Sequence, residues 1–170
     1  MPEHLHSKDF KEKLEKILIA ENRQNEILNF INQIDLTIGD RRFITGRVFY
    51  AIAGIVGIPI ESLCDKIFTN YQYDVVIDFS KAKTKLQAFI MIYANSNNHI
   101  SRASGIEKSR FSRLQNGEIQ EIYADEVYTL AKSFDLPPSL LFDYLYGENK
   151  ELLLKIELVD KINKVTPDKL

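Results

Sequence analysis

Hydroxyl, amide and cationic side chains are concentrated in one short stretch of the chain, residues 97–117. If residues 107–115 form a helix, a turn of about 100° per residue places Phe111 and Leu114 on one face and polar side chains on the opposite face. Small hydroxyls permit close approach to a DNA groove, and long cations reach guanine edges or phosphates. This pattern therefore indicates contacts with double-stranded DNA. The residues that we expect to make them are Asn97, Lys108, Ser109, Arg110, Ser112, Arg113 and Asn116.

Each of these side chains has its own expected contact. Arg113 is the leading candidate for base reading, because a guanidinium can donate two hydrogen bonds to O6 and N7 of guanine, worth about 1–3 kcal/mol of discrimination. Ser109 lies one turn earlier on the same face and can touch a base edge, whereas Lys108 and Arg110 can reach bases or phosphates. Asn97, at the start of the preceding helix, would present its amide to a phosphate with the help of the helix end.

Two short helices joined by a tight turn would hold these side chains in place. The first helix begins near Asn97, and Gly105 supplies the turn conformation that is most costly for a residue bearing Cβ. Ile106 is expected to fill the crease between the two helices. The second helix, about residues 107–115, ends at Asn116-Gly117, a typical helix stop.

This stretch resembles the helix-turn-helix of the phage-repressor, Cro-like (xenobiotic-response-element) family. The resemblance covers about residues 85–147, from a preceding helix at about 81–94 to an apolar helix after the turn at 135–139. It implies sequence-specific binding to double-stranded DNA by a transcriptional regulator of the repressor type, and members commonly work as dimers on near-palindromic operators. The matching residues are Ile100, Ser101, Gly105, Ile106, Ser109, Phe111, Ser112, Arg113, Leu114, Asn116 and Gly117.

A shift of 78 residues aligns the first half of the chain with the second, for example Gly39 with Gly117 and Pro59 with Pro137. Such an offset indicates a repeat, although two amphipathic helices joined by a proline turn also resemble each other by chance. The predicted fold is all-α, with two tandem five-helix repressor-like units and a C-terminal helix. We assign residues 1–70 to the first unit, 71–84 to a linker, 85–147 to the helix-turn-helix domain and 148–170 to the C-terminal amphipathic helix.

The first unit differs from the second where DNA contacts would lie. Ile27 is aligned with Gly105, so the turn glycine is missing, and Asp35 is aligned with Arg113. Because an aspartate facing phosphates would repel them, we expect a degenerate copy that serves packing or pairing. The last helix, about residues 148–165, either packs on its own domain or forms a homodimer contact, and the first unit is the other candidate surface for a homodimer.

Charge is distributed unevenly along the chain, although the net charge is only −2. Residues 81–117 contain seven Lys or Arg and the single acidic residue Glu107, whereas residues 118–151 contain eight Asp or Glu and two Lys. The basic segment coincides with the proposed DNA-contacting helix. The distribution of charge, more than its sum, governs attraction to nucleic acid.

Several other classes of protein are poorly supported by the sequence. The single cysteine, Cys64, excludes an internal disulfide, and with three histidines it makes no recognisable zinc spacing. The longest apolar run, residues 48–60, is too short to span a bilayer and contains two glycines and a proline. We therefore expect a cytoplasmic protein with no cofactor, no metal, no membrane partner and no catalysis. The alternative to DNA binding is a helical, antitoxin-like interaction module that keeps the fold but binds mainly a protein.

Overall fold

The computed structural model describes residues 4–76, 81 and 97–147, and these residues form an α-helical structure. The all-α class predicted from the sequence is confirmed for this part of the chain, which contains eight helices and no strand apart from isolated bridges. We number the helices in chain order: α1 (Ser7–Ala20), α2 (Gln24–Ile38), α3 (Gly46–Val56), α4 (Ile60–Ile67), α5 (Asn97–Ser104), α6 (Lys108–Gln115), α7 (Ala124–Ser133) and α8 (Pro138–Tyr146).

Helices of the first half form where apolar residues recur at helical spacing and where local chemistry caps their ends. Phe10, Leu14 and Leu18 recur every four residues in α1 and are buried against α2 and α4. Thr45 caps α3, because its side-chain oxygen accepts a hydrogen bond from the Val48 amide at 3.4 Å. The helix ends at Gly57, whose φ of 62° is the left-handed conformation that favours glycine.

Both halves of the chain contribute to one continuous core. The Phe49 ring lies 5.6 Å from Phe10, 5.2 Å from Phe68 and 5.4 Å from Phe142, measured between ring centroids. All four rings are fully buried. Because Phe142 belongs to α8, the second half packs directly on the first, and α3 contacts both α7 and α8. Aromatic pairs at these separations add to the stabilisation that comes from buried area.

The 78-residue offset relates helix bounds and a backbone bridge as well as amino-acid types. It maps α3 on α7 and α4 on α8 to within about one residue at each end. Thr45 and Tyr123, which differ by this offset, face each other in an antiparallel bridge. The bridge is symmetric, since the Gly46 amide donates to the Ile122 carbonyl at 2.8 Å and the Ala124 amide donates to the Ile44 carbonyl at 3.0 Å. The offset therefore describes a local pseudo-twofold axis at this bridge.

The correspondence fails at α2. Helix α2 runs without a break from Gln24 to Ile38, and these positions correspond to the end of α5, the turn and α6 in the second half. Leu36, aligned with the half-buried Leu114, is 84% exposed, and α2 buries Ile34 and Ile38 instead. Helix α2 thus presents a different face to the core than α6 does. The described residues of the first half contain four helices, whereas the sequence interpretation expected five.

Residues 71–76 form no helix or strand and lie against the second half. The Asp74 amide donates to the carbonyl of Ala103 at the end of α5, and the Val76 amide donates to the carbonyl of Ser133 at the end of α7. The helices predicted at residues 81–94 and 148–165 fall outside the described residues, apart from Lys81. Among the described helices none is by itself long and apolar enough to cross a membrane; α3 and α4 reach that length only as a pair bent by 115°.

Candidate nucleic-acid interface

The turn between α5 and α6 is held by a glycine and a buried serine. Gly105 has a φ of 72°, in the left-handed region that the sequence interpretation required. The Ser101 hydroxyl donates to the Ile106 carbonyl at 2.6 Å and ties α5 to the residue that follows the turn. Ile106 is buried at the junction of the two helices. These contacts fix the direction in which α6 leaves the turn.

Helix α6 begins at Lys108, one residue later than predicted, because Glu107 is its N-cap. The Glu107 carboxylate accepts hydrogen bonds from the amides of Ser109 and Arg110, each at 3.0 Å, and from the Ser109 hydroxyl. The Ser109 hydroxyl and then the two amides hold the pKa of Glu107 below its usual value. The start of α6 therefore carries a capping negative charge and one hydroxyl that is already engaged.

Five of the seven side chains selected from the sequence form one exposed surface, which we call the reading face. Phe111 is buried beneath it and Leu114 is half-buried, so the apolar side of α6 is turned towards the protein. Arg113 is 57% exposed, and its Nε lies 3.7 Å from a carboxylate oxygen of Glu118. An exposed pair at that distance contributes little to stability and exchanges readily for another anion. The reading face consists of Lys108, Ser109, Ser112, Arg113 and Asn116.

Arg110 occupies a different position from the other candidates. Its Nε and Nη2 donate to the two carboxylate oxygens of Glu126 at 2.5 and 2.8 Å. Its side chain is only 19% exposed, and that of Glu126 is 3% exposed. The guanidinium also lies 4.3 Å from the centre of the Tyr123 ring and donates to the Glu121 carbonyl at 3.1 Å. In this structure Arg110 therefore links α6 to the start of α7, and the DNA contact expected of it stays a prediction.

Glu126 is the central residue of this link. Besides accepting both hydrogen bonds from Arg110, it accepts one from the Tyr123 amide at 2.9 Å, which satisfies a donor at the start of α7. Hydrogen bonding to Glu126 raises the pKa of Arg110. Because both carboxylate oxygens of Glu126 accept hydrogen bonds from Arg110, the charge of this buried carboxylate is compensated. The bidentate geometry also sets the rotation of α6, which determines where its opposite face points.

Asn97 is the first residue of α5, as predicted, but its side chain lies outside the described part of the structure. The phosphate contact expected of it therefore stays a prediction. His99 and Arg102, on the same helix, are exposed. In the described part of the chain, no group of three or more His, Cys, Asp or Glu side chains could hold a metal ion.

Sequence reasoning missed the contacts that His4 makes. Its Nδ1 lies 2.9 Å from the buried carboxylate of Asp125, the residue before Glu126, and its ring packs 4.3 Å from the ring of Tyr123. The hydrogen bond to Asp125 raises the pKa of His4. This contact was missed because the partner of His4 is 121 positions away in the chain and no local pattern indicates it.

A comparison of this chain with models of protein families, with curated proteins and with solved structures gives no match. Function is therefore inferred from the geometry and the charge of the residues themselves.

Proposed function

We propose that this chain is a sequence-specific double-stranded DNA-binding protein of the helix-turn-helix type, acting as a transcriptional regulator that represses its targets. The observation that carries the proposal is the orientation of α6. Its hydroxyl, amide and cationic side chains are exposed together on the reading face, while Phe111 and Arg110 attach the helix to the protein from the other side. A short helix presented in this way has the dimensions that the major groove admits.

The side chains of the reading face divide into two roles. Arg113 has the reach and the bidentate geometry to read guanine. Asn116, three residues further along the chain, can form a hydrogen bond with a base edge or a phosphate. Ser109 and Ser112 are short enough to let the helix axis approach the bases. Lys108, at the start of the helix, neutralises phosphate charge. In a complex the Arg113 guanidinium would exchange Glu118, at 3.7 Å, for DNA, and this exchange costs little because both side chains are solvated.

We further propose that the two halves of the chain are repressor-like units related by the pseudo-twofold axis at Thr45 and Tyr123. Support comes from the paired hydrogen bonds across that bridge and from the matching bounds of α3 with α7 and α4 with α8. Only the second half has the turn glycine and the cationic helix. Each chain would thus contribute one reading face.

Selection of binding sites from a pool of random DNA duplexes tests the proposal. We expect an enriched motif, and an affinity that falls steeply as salt is raised from about 50 to about 200 mM, because cations released from phosphates drive binding. The variant Lys108→Ala/Arg113→Ala should lose the enriched motif while keeping its circular dichroism spectrum.

The matched control is Lys8→Ala/Lys16→Ala, which removes the same charge from exposed positions of α1. It should bind the selected duplex nearly as the unaltered chain does. Equal losses in the two variants would mean that only overall charge matters and would refute a specific role for the reading face. Absence of any enriched motif would refute sequence-specific binding.

A second candidate function is a helical interaction module that binds mainly a protein. Two observations favour it: Leu28 and Leu36 of α2 are 76% and 84% exposed, and Glu107 and Glu118 place negative charge at both ends of the reading face. The hypothesis of a protein-binding module predicts no enriched DNA motif and no dependence of any activity on Arg113.

A further inference from the structure

A cavity of about 390 Å³ lies beside the turn between α5 and α6. It is lined by this turn, by α7 and by two aromatic side chains from earlier in the chain, His4 and Tyr71. No residue of the reading face lines it, so the cavity is separate from the surface proposed to contact DNA. Its volume lies at the lower end of the range of roughly 300–1,000 Å³ that small-molecule sites occupy. The cavity therefore has room for a small organic molecule.

Asp125 is a buried carboxylate that has hydrogen-bonding capacity to spare. It is 3% exposed and lines the cavity. Its Oδ2 lies 2.9 Å from Nδ1 of His4, whereas its Oδ1 accepts from the Leu5 amide at 3.5 Å, the outer limit for a hydrogen bond. An ionised carboxylate has about four acceptor sites, and a buried polar group that lacks partners is costly. A donor placed next to Oδ1 would therefore be bound favourably.

The two hydroxyls that line the cavity also act as acceptors towards it. Ser104 donates its hydroxyl proton to the Ile100 carbonyl at 2.8 Å, and Thr129 donates its own to the Glu126 carbonyl at 3.3 Å. Because a hydroxyl has a single proton to donate, the oxygen of each can only accept a hydrogen bond from a ligand. The cavity thus favours a ligand that is rich in donors.

The charges in the cavity favour a cation over an anion. The carboxylates of Glu107, Asp125 and Glu126 line it, and Arg110 is the permanent cation among its lining residues. Because Arg110 donates to both oxygens of Glu126, these two charges compensate each other, and the charges of Glu107 and Asp125 remain in excess. Glu107 also caps the start of α6, the end of a helix at which an anion would otherwise bind.

We propose that this cavity binds a small organic cation, a primary amine on a short aromatic or aliphatic body, whose ammonium group donates to Asp125. An ammonium group has three donors and no acceptor, which matches the acceptors of Asp125, Ser104 and Thr129. The apolar body of the ligand lies against Ile106 and Tyr71, which also line the cavity.

The position of the cavity couples its occupation to the orientation of α6. Glu126, next to Asp125 in α7, holds Arg110 by two hydrogen bonds and thereby sets the rotation of α6. A cation bound beside these carboxylates competes with Arg110 for Glu126. Occupation of the cavity therefore lowers the affinity of the reading face for DNA. This consequence rests on the proposed DNA binding, whereas the site itself does not.

Titration of the full chain with three related probes, followed by amide NMR spectra, tests the site without DNA. The probes are phenethylamine, the neutral phenethyl alcohol and the anionic phenylacetate. We expect phenethylamine to shift the amide signals of Gly105, Ile106 and Thr129 in a saturable way, with a dissociation constant on the order of 1 mM. The alcohol and phenylacetate should each bind at least about 10-fold more weakly, because neither offers the charged donors of an ammonium group.

The variant Asp125→Asn tests the assigned contact, and it should weaken the binding of phenethylamine by about 10-fold. Asparagine has the shape of aspartate, and its side-chain oxygen can still accept from His4. The matched control is Asp40→Asn, which removes the same charge from an exposed turn after α2 and should bind phenethylamine as the unaltered chain does.

The comparison of the three probes requires no variant, so it decides the proposal even if Asp125→Asn fails to fold. Absence of a saturable shift by phenethylamine overturns the site, and so do shifts confined to other parts of the chain. Binding of phenylacetate as tight as that of phenethylamine overturns the preference for a cation. Unchanged affinity of a folded Asp125→Asn variant overturns the role of Asp125.

A gel shift on the selected duplex tests the coupling to α6 separately. Saturating phenethylamine should lower the affinity for the duplex by at least about 5-fold, whereas ammonium chloride at the same concentration, the control for ionic strength, should not. An equal effect of the two salts, or no effect of phenethylamine, refutes the coupling. A failure of DNA binding itself leaves the NMR titration as the test of the site, so the two proposals fail independently.

Discussion

Two arginines three positions apart on α6 should have opposite consequences when each is replaced by alanine. Arg110 forms a bidentate ion pair with Glu126, and the two side chains are 19% and 3% exposed. Removing one partner of a buried pair typically costs about 3–5 kcal/mol. Because Arg110 is partly solvated, we expect about 2–3 kcal/mol for Arg110→Ala, which lowers the midpoint of thermal unfolding of a chain this size by roughly 5–10 °C.

Arg113→Ala removes the same charge from the same helix without comparable structural cost. Its Nε lies 3.7 Å from a carboxylate oxygen of Glu118, and both side chains are 57% exposed. Such pairs contribute at most about 0.5 kcal/mol, and alanine and arginine have similar helix propensities. Urea and thermal unfolding followed by circular dichroism measure both variants. An Arg110→Ala variant as stable as the unaltered chain, or an Arg113→Ala variant that is the less stable of the two, would refute the assignment of structural and reading roles.

Three further predictions concern His4, Gly54 and Gly46. The pKa of His4 is raised by its hydrogen bond to Asp125, so the contact stabilises the fold fully below the unfolded pKa of about 6.5 and is lost as pH rises through the folded value. The difference in unfolding free energy between the unaltered chain and His4→Gln should therefore shrink from acid to alkaline pH; a constant difference in denaturant titrations would contradict this. Gly54→Ala should stabilise α3 by about 0.5–1 kcal/mol, because a Cβ at Gly54 meets nothing within 4 Å. Gly46→Ala should instead destabilise the pseudo-twofold bridge by about 1–3 kcal/mol, because the added Cβ would lie 2.9 Å from Val127 Cγ2 and closer still to the Tyr146 hydroxyl; equal midpoints for the two glycine variants in thermal unfolding would refute the reasoning.

Local patterns predicted the local features of the candidate interface well. The left-handed φ of Gly105, the burial of Ile106 and Phe111 and the exposure of Arg113 are all present. Each follows from chemistry within one or two helical turns: a glycine where a Cβ would be strained, and apolar residues three apart on one side of a short helix. Spacing of this kind is readable because it does not depend on the rest of the chain.

Long-range partners could not be predicted in the same way. Arg110 has the same residue type as Arg113 and a similar position on α6, and only the buried carboxylate of Glu126, 16 residues away, distinguishes them. His4 depends on Asp125 across 121 residues. Such partners are set by how helices pack, and a helical pattern leaves packing open.

The 78-residue offset was informative about helix bounds and misleading about one helix face. The offset of 78 residues maps α3 and α4 on α7 and α8, since the capping residues and turns that fix these bounds are local. It also aligned Leu36 with Leu114, yet Leu36 is exposed. Without a turn glycine, α2 continues as one helix through the position aligned with Gly105 and buries Ile34 and Ile38, so the buried faces of α2 and α6 do not correspond.

The most direct test of the proposed reading face is the base discrimination of Arg113→Ala, measured by gel shift against a selected duplex and a set of its single base-pair variants. We expect the unaltered chain to prefer one base pair by about 1–3 kcal/mol at the position that Arg113 contacts, and Arg113→Ala to lose that preference while keeping the others. If Arg113→Ala weakened the affinity for all duplexes equally, Arg113 would contact only phosphates. Equal affinity of the unaltered chain for selected and scrambled duplexes would contradict the central claim that α6 reads DNA sequence.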